Sequence, residues 1–596
     1  MRLPASERAR WALVVAAGAL TLVAVNLWWI AEYRQGYPFN VDEAGYTTIG
    51  LVDYFGLRGE GLSGWWEAVQ SQVPVAPLLP AITSLVLVFN AGVLQGFVAL
   101  LGFLLLLVFA TYGIGERLAG PRLGALAALA VGTSFGAITF VREYIFALPV
   151  AALLAFAVYA LLRSDGFRLR RWAIACGVAL GLMVLARTMA VAFVPGVIGA
   201  GFVTMLARDR SAIPQRLLNM GLLIAGAAAA AATWYVRNWE PVWEYLTDFG
   251  YGAQSNYYGD ETSVFSWERW STVAERLIVD DLLVPFAALI FAGLVALAYL
   301  AVRRVADADD RRAALISLAA SDAVAVGLVF ASGYVALTSS QNGGNGFTFP
   351  LAVLLPPLAV LALRRFRVAT APTVVAVAAI AALNLAATST LWDDVAKPRL
   401  VGVPGFGELP WVNGTPHAIA AIRAQVPGPD VRFVERDEGW TEADAALAGL
   451  LLRLRGPDDT PPVTAFASRH RAISSNSVQL AALAEFQRGI PFAQLNAEPR
   501  DSIGIYVEQL DNPEFEPTVL ITMDRNTDDF EPLVTQAYAE AAALRLGFRK
   551  VSAMTLPDGR RMRIWVKQGS EAAVAFSRRS ARSAAGAQAA PRSRRG

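Results

Sequence analysis

The chain has 596 residues, 55% of them hydrophobic and 17% charged, with a mean hydropathy of +0.44. Soluble domains carry about 25% charged residues, so this deficit, set beside many long apolar runs, excludes an ordinary soluble protein and indicates a polytopic membrane protein. A net charge of +2 gives no bias toward nucleic acid. The single cysteine, Cys176, excludes an intramolecular disulfide and a thiolate metal cluster, and the two histidines, His417 and His470, argue against a zinc site.

Hydropathy predicts about eleven spans, each near the ~20 residues that a bilayer core requires. Their cores lie near 11–30, 93–114, 122–140, 147–162, 172–187, 190–206, 217–236, 282–302, 313–337, 347–364 and 370–391. The first follows Arg2, Arg8 and Arg10 and reads as an uncleaved signal anchor. Between it and the second, residues 31–92 form a long loop. It holds Asp42, Glu43, Asp53, Glu60, Trp65, Trp66 and Glu67, of which Asp53, Glu60 and Glu67 read as a solvated face. Its apolar run Pro74–Asn90, broken by prolines, reads as an interfacial helix that does not span.

Charge placement sets the orientation. Arg163, Arg168, Arg170 and Arg171 share one loop, and Arg208, Arg210 and Arg216 the next of the same parity. Arg303, Arg304, Arg311 and Arg312 follow, then Arg364, Arg365 and Arg367. With the N-terminus cytoplasmic, all these clusters fall inside, as the positive-inside rule requires. Segments 31–92, 141–146, 237–281, 338–346 and everything after 391 then face outward. Segment 237–281, rich in Trp, Tyr, Gly and Asn, is suited equally to lining a cavity and to forming an interfacial belt. The loop 339–346, SSQNGGNG, reads as a lid or as an ordinary Gly-rich turn.

Past residue 391 the composition changes. Segment 396–570 predicts an extracytoplasmic α/β domain. Strands are expected at Val431–Val434, Ile503–Val507, Thr518–Ile521 and Met562–Val566, and helices at Thr415–Gln425, Glu442–Arg455, Ser477–Gln487 and Glu531–Leu546. Arg469-His470-Arg471, close to Ser474-Ser475-Asn476, reads as a solvated loop, with sugar binding as the alternative. Residues 571–596 are rich in Ser, Ala, Gly and Arg and predict a disordered basic tail.

Four patterns carry chemistry. Asp42-Glu43 with Tyr46 lies in the first outer loop; the pair reads either as a solvated loop start or as a site, since carboxylates are costly to bring near lipid. Val141-Arg142-Glu143-Tyr144 closes the third span; Arg142 and Glu143 read either as site residues or as an interfacial ion pair. Arg187 lies inside the apolar run GLMVLARTMAVAFVPG (181–196), as a cavity candidate or a structural arginine. Thr233-Trp234-Tyr235-Val236-Arg237-Asn238 marks the exit of the seventh span. Leu354-Leu355-Pro356-Pro357-Leu358-Ala359 is a weaker fifth. No P-loop and no GxGxxG strand-turn-helix accompanies them.

In this order the motifs resemble the GT-C glycosyltransferases over roughly residues 10–390, nearest to the branch of protein O-mannosyltransferases and lipid A aminoarabinose transferases. The resemblance implies a membrane enzyme with its catalytic domain in residues 1–395, and the abundance of Ala, Arg and Gly points to a high-GC bacterial coding sequence, hence a bacterial plasma membrane. Such an enzyme takes sugar from a polyprenyl-phosphate donor to a cell-envelope glycan, lipid or protein on the outer face, with inversion. It implies Asp42 as base or acceptor-orienting carboxylate, with Glu43 beside it. It implies Arg142 and Arg237 as donor-phosphate ligands, and Tyr46, Glu143, Arg187 and Asn238 as cavity candidates. The chemistry is self-consistent: a lipid phosphate leaves, an arginine offsets its charge, and a carboxylate takes the acceptor's proton. A divalent cation at Asp42-Glu43 stays open, although two adjacent carboxylates are an incomplete oxygen shell. The alternatives are a lipid-linked-sugar transporter, which needs ionisable groups along a path through the membrane, and a non-catalytic envelope-assembly subunit. Leu148-Pro149 stands where protein O-mannosyltransferases carry an acidic residue, and Thr348-Phe349 where relatives often have Arg-Tyr.

Overall fold

The computed structural model describes residues 5–34, 37–208, 212–252, 255, 262–344, 346–389, 399–414, 439–456, 458–468, 470, 472–497, 500–524 and 533–578. The chain divides into two units: one of residues 1–34 and 52–422, the other of residues 35–51 and 423–596.

The first unit is helical. Among the described residues, seven helices are long and apolar enough to cross a membrane, and nine spans result if two bent pairs, Pro121–Gly132 with Phe135–Arg142 and Arg311–Ala319 with Asp322–Thr338, each count once. Two of the eleven expected segments fall short. Arg170–Ala186 has 17 residues, about 25 Å at 1.5 Å per residue, and the apolar stretch Phe349–Arg364 is short as well. Leu78–Leu87, with 10 residues, is about 15 Å long and cannot cross a ~30 Å hydrocarbon core. The helix Val41–Ser71, of which this unit holds the part from residue 52 on, is kinked at Gly61, whose φ of 69° is non-helical. Beyond the break, Trp65 Nε1 donates to Ser84 Oγ at 2.8 Å, tying the second half to the Leu78–Leu87 helix.

Small residues allow the closest helix approach. A Cβ on Gly177 would stand 2.0 Å from the Leu223 carbonyl oxygen, and one on Gly181 would stand 2.4 Å from that of Ala227. The Gly-x-x-x-Gly spacing therefore docks Arg170–Ala186 directly on the backbone of Ile213–Tyr235. At one end of the unit Arg208 joins three helices. It donates to Asp165 at 2.7 Å, to Asp322 at 2.5 Å and to the Ala320 carbonyl at 2.9 Å, while Arg117 meets Asp322 at 2.7 Å. Near the unit's C-terminal end, β1 (Arg399–Val403) and β2 (Gly407–Val412) form an antiparallel hairpin.

The second unit is a three-layer α/β/α domain. Its strands are β3 (Thr464–Phe466), β4 (Phe492–Gln494), β5 (Val519–Met523), β6 (Phe548–Thr555) and β7 (Arg561–Lys567), in the order β4-β3-β5-β7-β6. β4, β3 and β5 are parallel; β7 runs antiparallel to both β5 and β6. β5 is buried along its whole length, as a central strand covered on both faces must be. Val519, Ile521 and Met523 pack with Phe466, Ile564 and the helices Gly439–Leu452 and Ser475–Phe486. Leu520 packs on the other face with Ala465, Trp565 and the helices Ile503–Leu510 and Gln536–Arg545.

The expected strand Ile503–Val507 is instead the start of a helix, Ile503–Leu510. Its buried residues, Tyr506 and Leu510, are four apart, which is helical spacing. The expected strand Val431–Val434 and helix Thr415–Gln425 lie outside the described residues. The other expected elements of this unit correspond to β5, β7 and the three helices Gly439–Leu452, Ser475–Phe486 and Gln536–Arg545.

Candidate functional site

In the second unit the Asp42-Glu43 pair occupies the first turn of the Val41–Ser71 helix, where a helix dipole favours negative charge. The two carboxylates are not equivalent. Asn40 caps the helix: its Oδ1 accepts from the Glu43 amide at 2.8 Å, and the Asn40 amide donates back to Glu43 Oε2 at 3.4 Å. This reciprocal pair is a capping box of the form Asn-x-x-Glu, and Glu43 is fully buried in it. Asp42 is exposed, and Tyr46, one turn on, is half-buried. The Asn40-x-x-Glu43 spacing was available in the sequence as a capping signal.

In the first unit Arg142 is fully buried at the end of Phe135–Arg142. Its Nε donates to Asn26 Oδ1 at 2.7 Å, its Nη1 donates to the Thr388 carbonyl at 2.5 Å, and its guanidinium lies 4.5 Å from the Trp29 ring centre. Asn26 Nδ2 in turn donates to the Leu22 carbonyl, Thr388 Oγ1 to the Asn384 carbonyl and Asn384 Nδ2 to the Thr133 carbonyl. Arg142 thus joins three membrane helices through a chain of buried polar groups. Glu143 follows in extended conformation and is also fully buried. Arg187 sits where the Arg170–Ala186 helix ends, with its guanidinium 3.6 Å from the Phe347 ring centre. Arg237 is exposed. Asn238 is buried and donates from Nδ2 to the Trp234 carbonyl at 3.1 Å. Asp42, Glu43 and Tyr46 thus fall in the second unit, and Arg142, Glu143, Arg187, Arg237 and Asn238 in the first.

Two buried carboxylates of the first unit were not nominated by sequence. Asp53 is 1% exposed, which corrects its reading as part of a solvated face. Both its oxygens lie without a hydrogen-bond partner among the described residues, and burial pushes its carboxyl up to about 7. Its charge is felt at Tyr144, whose hydroxyl shares a 2.5 Å hydrogen bond with Thr83. Asp281 is fully buried in the π-helical turn Leu277–Leu282, against Gly136. Single π turns recur at functional sites, but sequence periodicity does not announce them.

The loop at 339–344 is held by side-chain hydrogen bonds. Ser340 Oγ donates to the Gly250 carbonyl at 2.5 Å, Asn342 Nδ2 to that of Phe249 at 3.0 Å, and Arg269 Nη2 to that of Asn342 at 3.1 Å. Trp239 and Trp243 stack at 5.3 Å, and both are exposed. In the second unit His470 is buried, stacked on Trp440 at 5.1 Å and set against Arg560, so it does not lie in the expected solvated loop. Arg469 and Arg471 fall outside the described residues. Among the described residues no three His, Cys, Asp or Glu side chains converge to hold a metal ion.

No protein-family model matches the sequence, and no curated protein matches it. Solved structures do. The crystal structure of ArnT from Cupriavidus metallidurans bound to undecaprenyl phosphate superposes with a TM-score of 0.51 at 16% identity, over 94% of this chain and 98% of that one. The apo state of the same protein gives 0.51 at 14% identity, over 93% and 98%. At these identities the likeness establishes a shared fold.

Proposed function

We propose that this chain, which has the GT-C fold of polytopic membrane glycosyltransferases, transfers a sugar from a polyprenyl-phosphate donor to an acceptor of the cell envelope. The observation that carries the proposal is the end-to-end match, 94% of this chain on 98% of a protein whose structure holds undecaprenyl phosphate. A carboxylate pair at a helix start just after the first span supports it. The proposed setting is a bacterial plasma membrane, with the reaction on the outer face.

In this reading Asp42 accepts the acceptor's proton as the sugar bond forms. Its exposure suits contact with substrate, whereas Glu43 fixes the turn that carries it. The sugar's bond to the phosphate breaks with inversion, and the lipid phosphate leaves as an anion. Arg237, exposed, makes the direct phosphate contact. Arg142, enclosed by Asn26, Trp29 and Thr388, contributes a fixed positive charge that needs no reorganisation during the step. Tyr46, Glu143, Arg187 and Asn238 remain candidates for the substrate cavity.

The test is transfer of radiolabelled sugar from synthetic polyprenyl phosphates by purified protein, with envelope extract as acceptor. Asp42→Asn is expected to lower turnover by about 100-fold or more, the scale of general-base removal, with the protein still folded. Full turnover by Asp42→Asn removes the mechanism. Lipid binding without transfer from any donor favours the transport or assembly alternatives.

A further inference from the structure

The segment that carries Asp42 packs within the second unit, against the first turn of the Ser475–Phe486 helix. Asn476 Nδ2 donates to the Val41 carbonyl at 2.8 Å. Val41 immediately precedes Asp42, so this bond fixes the peptide group on which Asp42 is mounted. The fit is tight on the next turn as well: a Cβ added at Gly45 would stand 3.0 Å from Asn476 Nδ2 and 3.6 Å from its Cγ.

Asn476 is itself held. Ser474 caps its helix, and Ser474 and Ser477 close a capping box, with Ser474 N donating to Ser477 Oγ at 2.8 Å and Ser477 N to Ser474 Oγ at 3.2 Å. Ser477 Oγ also donates to Asp444 Oδ1 at 2.8 Å, which anchors the turn to the buried face of Gly439–Leu452. Burial pushes the Asp444 carboxyl well above the usual range. A continuous set of hydrogen bonds therefore runs from the α/β core to the backbone beside the carboxylate.

We propose that Asn476 is a positioning residue for Asp42, so that the C-terminal α/β unit takes part in catalysis by fixing the turn that bears the carboxylate. This rests on the reading of Asp42 as the proton acceptor. A carboxylate held in its reactive geometry by a fixed backbone works faster than one free to tilt, and misplacement by about 1 Å costs on the order of 100-fold.

The test compares Asn476→Ala and the isosteric Asn476→Asp, which replaces the donor with an acceptor facing the Val41 carbonyl. Each is measured by sugar transfer, thermal unfolding and hydrogen exchange of the 41–51 amides. The expected result is kcat lowered about 10- to 100-fold, donor KM unchanged, the unfolding temperature retained and faster exchange confined to 41–51. In the Asp42→Asn background, Asn476→Ala should cause no further loss, because it acts through Asp42. Wild-type kcat in both Asn476 variants, while Asp42→Asn is inactive, overturns this inference alone. So does an undiminished multiplicative loss in the double variant. Full turnover by Asp42→Asn overturns the underlying reading, and in that case the exchange data still report whether Asn476 holds the turn.

Discussion

Asp53→Asn should make the protein more stable above about pH 4, with the full gain at neutral and alkaline pH. Asp53 is 1% exposed, with no hydrogen-bond partner on either oxygen among the described residues, and burial raises its carboxyl from the usual 3.8 to about 7. A carboxyl raised on folding binds a proton more tightly in the native than in the unfolded chain. Native stability is therefore full below about pH 4, falls as pH rises toward 7, and levels off above it. The shift is about three units, and each is worth about 1.4 kcal/mol, so at most about 4 kcal/mol is lost across that window. Asparagine has nearly the same shape and no charge to desolvate. Equilibrium unfolding in detergent, followed by the fluorescence of the 15 tryptophans, should show wild type and variant alike at about pH 4 and separated by several kcal/mol at about pH 8. Parallel pH profiles for the two proteins would refute the reasoning, since they would mean that Asp53 is solvated or paired in the native state.

Three further substitutions probe the scaffold. Ser477→Ala removes the capping box and the bond to buried Asp444, and should cost about 1–3 kcal/mol in unfolding of the α/β unit. Gly177→Val places a side chain where the Leu223 carbonyl already lies; separation of the two helices should abolish monodisperse protein in size-exclusion chromatography, a loss above about 3 kcal/mol. Arg142→Lys keeps the charge but cannot serve both Asn26 and the Thr388 carbonyl, so thermal unfolding should show a loss of about 2–3 kcal/mol.

Nine of the eleven expected spans were legible because each is a long apolar run, and a membrane helix needs little else to declare itself. Asn26, Arg142, Thr388 and Asn384 form one buried polar chain, yet Arg142 lies 116 positions from Asn26 and 246 from Thr388, and no local pattern joins them. Asp53 failed for the same reason: its burial is a product of tertiary packing, and the residue that feels its charge, Tyr144, lies far along the chain. In the α/β unit, β3 and β4 have three residues each, too short to display an alternating period. The run Ile503-Gly504-Ile505-Tyr506-Val507 looked like a strand because it is aliphatic and aromatic. The decisive feature was the buried pair Tyr506 and Leu510, which lies partly beyond it.

The adjacent carboxylates show what a motif alone cannot resolve. As letters, Asp42 and Glu43 are a pair, and two neighbouring acids invite a shared task such as holding a cation. On a helix start, backbone geometry gives them different surroundings. The third helical position points back to the cap, so Glu43 reaches the Asn40 amide and is enclosed there. Asp42, at the second position, stays exposed. The shorter side chain also carries fewer rotatable bonds, so its carboxylate follows the backbone closely. A carboxylate so mounted is only as well placed as the turn beneath it, and Glu43 and Asn476 grip that turn from its two sides: one at the cap amide, the other at the Val41 carbonyl. Combining Asp42→Glu with Glu43→Asp would conserve composition and charge while shortening the capping arm and loosening the reactive one, which is why the order of the two acids matters to the proposed chemistry.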